Sequence, residues 1–88
     1  MKVLILYRDH SEHARAVETF IHDFERRHGQ ITIQTAELDT REGATLAKTY
    51  DITAYPAILA TKDDGSVLQI WQGEQLPLID DVASYAAA

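Results

Sequence analysis

Val3-Leu4-Ile5-Leu6-Tyr7 is an unbroken apolar run, too short for a helix and without polar alternation. Such a run reads as a strand covered on both faces, as a central parallel strand is. The next segment constrains its surroundings. Ala14, Val17, Phe20, Ile21 and Phe24 recur at steps of three and four, the stripe of an amphipathic helix. Arg15, Glu18, Thr19, His22, Glu25 and Arg26 fall on the opposite face. Asp9 with Glu12 fits a capping box and Ser11 is an alternative cap, while Gly29 is the expected stop. Ile31, Ile33 and Thr35 then alternate with Thr32 and Gln34 in a second strand reaching about Leu38. Strand, helix and strand in succession predict a right-handed crossover between two parallel strands.

The rest of the chain completes a layered α/β domain. Asp39-Thr40 opens a second helix with Leu46, Ala47 and Tyr50 inward, and Gly43 weakens its first turn. Ala57 to Thr61 is a third strand, Asp63-Asp64-Gly65-Ser66 a hairpin turn, and Val67 to Gln72 a fourth strand closed by Gly73. Pro77 suits the first position of a last helix whose Leu78, Ile79, Val82, Ala83 and Tyr85 point inward. The expected order is strand–helix–strand–helix–strand–strand–helix. It makes a mixed four-stranded sheet flanked by three helices, in a single domain over residues 1–88.

Charge and composition narrow the function classes. The chain has no cysteine, which removes disulfides, thiolate metal sites and any cysteine nucleophile. Its formal net charge is −6, and the whole deficit falls after residue 30. Arg26-Arg27 is offset by Asp23 and Glu25, so nucleic acid and anionic membrane are not expected partners. The apolar run at the start stops at Arg8-Asp9, short of the ~7–15 residues of a secretion signal, and nothing approaches the ~20 of a membrane span. The expectation is a cytoplasmic protein.

The residues taken in order resemble the thioredoxin superfamily. Leu4-Ile5-Leu6-Tyr7 resembles the strand leading into that family's active-site helix. Tyr50 to Leu59, with Tyr55-Pro56 inside it, resembles the approach to its cis-proline. Asp64-Gly65 resembles its hairpin, and Trp71-Gln72-Gly73 the end of its last strand. The resemblance implies a thioredoxin-like fold whose third strand runs antiparallel to the rest. It also places the family's Cys-x-x-Cys on Ser11-Glu12-His13-Ala14, with serine for the attacking thiol and alanine for the resolving one. Exchange of a disulfide requires a thiolate nucleophile and a sulfur leaving group, and neither side chain supplies them. The implied function is a redox-inactive domain that binds a protein or peptide. Its groove would comprise Tyr7, Ser11, Glu12, His13, Tyr55, Pro56 and Gly73, a cis bond exposing the main chain of Tyr55 to an added strand. The alternative is a thiol–disulfide oxidoreductase whose cysteines were lost or engineered away.

Other chemistries are weaker. Ser11 with His10 or His13, oriented by Asp9, has the components of a hydrolytic site, yet a cap serine commits its oxygen to the backbone. His10 and His13 with Asp9 and Glu12 offer partial metal coordination, short of the four ligands of a closed site. Every histidine (His10, His13, His22, His28) lies on or beside the first helix. Glutathione recognition is disfavoured, because Arg8, Ala54-Tyr55 and Gln72-Gly73-Glu74 reproduce little of the glutaredoxin pattern; no cofactor is expected. Trp71 is either an interface anchor or packed beneath a helix, and its edge strand leaves monomer and homodimer open.

Overall fold

A computed structural model describes residues 2–87. The elements are β1 (Lys2–Tyr7), α1 (Ala14–Arg27), β2 (Thr32–Glu37), α2 (Arg41–Thr49), β3 (Ala57–Thr61), β4 (Val67–Gln72) and α3 (Ile79–Ala87). The sheet order is β2-β1-β3-β4. β1 pairs parallel with β2, Val3 opposite Ile33, and β3 runs antiparallel to both of its neighbours.

Alternation along the two central strands divides the core. Val3, Ile5 and Ile58 face α1 and α3, where they meet Val17, Phe20, Phe24, Val82 and Ala83. Leu4, Leu6, Ala57 and Leu59 face the other way, onto Ala47 of α2 together with Leu38 and Ile52. A two-residue side-chain period thus needs apolar residues at every position from Val3 to Leu6, which is why this stretch shows no polar alternation. Among the described residues no helix is long and apolar enough to cross a membrane.

Helix boundaries depart from the sequence reading at three ends. α1 begins at Ala14, with neither Asp9 nor Ser11 as its cap; His13 occupies the N-cap position without a side-chain cap bond. Ser11 Oγ instead donates to the Arg8 carbonyl, and His10 takes a left-handed φ of 58°. The polar residues from 9 to 13 therefore stabilise a turn rather than a helix start. At the far end, His28 caps the helix with its own N–H on the Phe24 carbonyl, one residue before Gly29. α3 starts two residues beyond Pro77. The Leu78 carbonyl accepts from the amides of Asp81 and Val82, which makes Leu78 the N-cap ahead of the first helical residue, and it is 70% exposed rather than inward.

Other features agree with the sequence. Thr40 caps α2, its Oγ1 accepting from the Gly43 amide at 3.0 Å. In the β3–β4 turn Gly65 has φ 90°, and the Asp64 carboxylate accepts from the Ser66 amide, which holds its carboxyl below the ordinary 3.8. Trp71 packs beneath the last helix, edge-on to Tyr85 with ring centroids 5.5 Å apart. β4 is an outer strand with a register irregularity between its pairings to Ala60 and Thr61, and the Ile70 amide donates to the Gln69 side chain.

Candidate functional site

The site lies where three chain turns converge at one end of the sheet: residues 8–13 after β1, 38–40 after β2, and 53–56 before β3. Glu37, the last residue of β2, joins the first two. Its Oε1 accepts the Asp9 amide at 3.0 Å and its Oε2 the Asp39 amide at 2.9 Å. Arg8 adds an ion pair to Asp39, Nε to Oδ1 at 3.0 Å, between exposed partners. Within the first turn the Arg8 amide donates to His13 Nε2 at 3.1 Å.

The third turn is secured from β4. Gln72 Oε1 accepts the amides of both Thr53 and Ala54, at 3.0 and 3.1 Å. The Gly73 amide, in a residue with φ 114°, donates to the Pro56 carbonyl at 3.0 Å. The Tyr55–Pro56 bond is cis. Between these anchored neighbours Tyr55 uses its phenol on the Ile52 carbonyl, while its main-chain N–H and C=O make no hydrogen bond to the described residues.

Two open hollows flank this region. One, of about 480 Å³, is bordered by Arg8, Ser11, Glu12, His13, Ala16 and Glu74. The other, of about 410 Å³, includes Arg8, Lys48, Asp51, Ile52 and Tyr55. Arg8 borders both. Ser11, Glu12 and His13 are thus together, and Tyr55 belongs to the adjoining hollow. Pro56 is buried and Gly73 half-buried behind it. Tyr7 is half-buried against the α1–α3 side of the core. Burial, then the nearby charges of Asp9, Glu18 and Glu37, push its phenol above the ordinary 10.0, so it remains neutral at physiological pH. Ala14 is 8% exposed, a core residue at the start of α1.

The arrangement counts against the other chemistries. Ser11 directs its proton to a carbonyl, and the Nε2 lone pair of His13 is taken by the Arg8 amide, so no serine–imidazole pair is assembled. Among the described residues no group of three His, Asp or Glu side chains is placed to hold a metal ion, His10 and His13 included. The sequence reading missed Glu37 and Gln72. Each is the polar last residue of a strand, and only the fold brings the chain turns that they bind into reach.

No family model matches the sequence, and no curated protein matches it either. Solved structures do. Thioredoxin-2 of the malaria parasite superposes with a TM-score of 0.76 at 17% identity, over 97% of this chain and 79% of that one. Thioredoxin O1 of Arabidopsis thaliana gives 0.76 at 16%, over 94% and 74% of the two chains. Thioredoxin 1 of Thermosipho africanus gives 0.70 at 14%, over 99% and 91%. At these identities the likeness is one of architecture. The chain has the thioredoxin fold, and it has it without a cysteine.

Proposed function

We propose that this chain is a protein- or peptide-binding module that performs no thiol–disulfide exchange of its own and receives an extended segment of its partner along the main chain of Tyr55. The observation that carries the reading is the pair of unused main-chain groups on Tyr55, between neighbours whose own groups are bound by Gln72 and Gly73. A strand laid beside them gains two hydrogen bonds, and its alternating side chains reach the two hollows on either side of Arg8. The Tyr55 ring adds apolar area to that contact. Ser11, at the position that the resemblance gives to the attacking thiol, borders the hollow with Glu12 and His13, so a binding surface is available without the electron chemistry.

Selection from a phage-displayed library of random peptides tests this reading. A peptide so obtained is expected to bind Tyr55→Ala about tenfold more weakly than the parent chain, because an aromatic anchor is lost. Failure to select any peptide, or selection of peptides indifferent to Tyr55→Ala, overturns it.

A further inference from the structure

Leu78 is the large apolar side chain that the fold leaves most exposed among the described residues, at 70%. It forms part of the wall of a hollow of about 380 Å³ between α1 and the start of α3, which is also lined by Phe20 and Ile79, by Ala16 and Asp23 along α1, and by Arg27 and Asp80. A protruding leucine and an apolar hollow on one face are self-complementary under a two-fold axis. We infer that this groove is where a second copy of the chain docks.

Charge selects that occupant. With a net charge of −6, two copies repel each other over most of their surfaces. This face carries both signs, because Arg26 and Arg27 close α1 and Asp80 and Asp81 open α3 beside it. A two-fold axis running along the groove lays the start of α3 of one copy over α1 of the other. Leu78 then meets the Ala16–Phe20 stripe of the partner, and Arg27 meets the partner's acidic first turn. Arg27 makes no ion pair with another described residue, whereas Asp23 pairs with Arg26 and Asp80 with His28. The outer edge of β4 is the poorer surface for self-association. Its irregular register and the Gln69 side chain on the Ile70 amide are features that turn an edge away from pairing.

Sedimentation equilibrium of the whole chain from micromolar to millimolar concentration tests the inference. The mass is expected to rise toward twice that of one chain. Leu78→Asp, which alters a side chain exposed in the single copy, is expected to raise the dissociation constant about tenfold or more. Arg27→Asp does the same, and adding Asp80→Arg to it restores association. A chain that stays monomeric throughout the range overturns the inference. So does a dimer unaffected by Leu78→Asp, which uses another face. Peptide binding at Tyr55 is unchanged by Leu78→Asp, so the two proposals fail separately.

Discussion

Gly43 lies in the first turn of α2, directly over the end of β2. A Cβ placed there would stand 2.0 Å from the Glu37 carbonyl oxygen and 2.7 Å from its carbon. The obstacle is main chain, so a rotamer change cannot relieve it. On helix propensity alone, alanine at this position adds about 1 kcal/mol of stability. Overpacking against backbone costs about 1–3 kcal/mol and displaces the helix from the strand. Gly43→Ala is therefore expected to lower stability by up to about 2 kcal/mol in urea denaturation. A more stable variant would contradict the close packing of α2 on β2. Sequence alone gives the propensity term and its sign. The opposing term depends on an oxygen six residues away in the chain, brought near by the turn through Asp39 and Thr40. At Tyr55 the resemblance implied an exposed main chain before a cis-proline, while the anchoring of its neighbours by Gln72 and Gly73 had no sequence signal.

Elements were legible where periodicity ran long enough to average over single residues. The α1 stripe from Ala14 to Phe24 and the β1 run are of this kind. Ends were not, since capping is decided by one or two hydrogen bonds for which several polar residues compete. Between β1 and α1, Asp9 and Ser11 both had suitable chemistry, and neither caps the helix; Glu37 holds the Asp9 amide from another strand. Leu78 was misplaced for a related reason: a residue just outside a helix no longer follows its 100° phase. The Glu37 carboxylate spans the loops after β1 and after β2, so its removal acts on both at once. Glu37→Ala leaves two amides without their acceptor and is expected to cost about 1–3 kcal/mol. Hydrogen exchange at Asp9 and Asp39 should rise together. An increase at one amide alone would show that the carboxylate does not couple the loops.

For the whole molecule, the order of strands and helices sufficed to indicate the architecture. A parallel crossover followed by an antiparallel hairpin leaves few ways to bury both faces of a four-stranded sheet. Superposition on thioredoxins agrees with that architecture across nearly the entire chain. The proposed function was less legible, because the groups it relies on carry no side-chain signature. The resemblance implied an exposed main chain at Tyr55, but only the fold shows that no described residue uses its amide and carbonyl. The absence of cysteine removes one chemistry without naming another.

The most direct measurement is amide hydrogen exchange and chemical shift, recorded by NMR on the 15N-labelled chain with and without a selected peptide. The account predicts that the Tyr55 amide becomes protected and shifts on binding, together with signals from Ser11, Glu12 and His13. A saturating peptide that leaves the Tyr55 amide exchanging as in the free chain would contradict it.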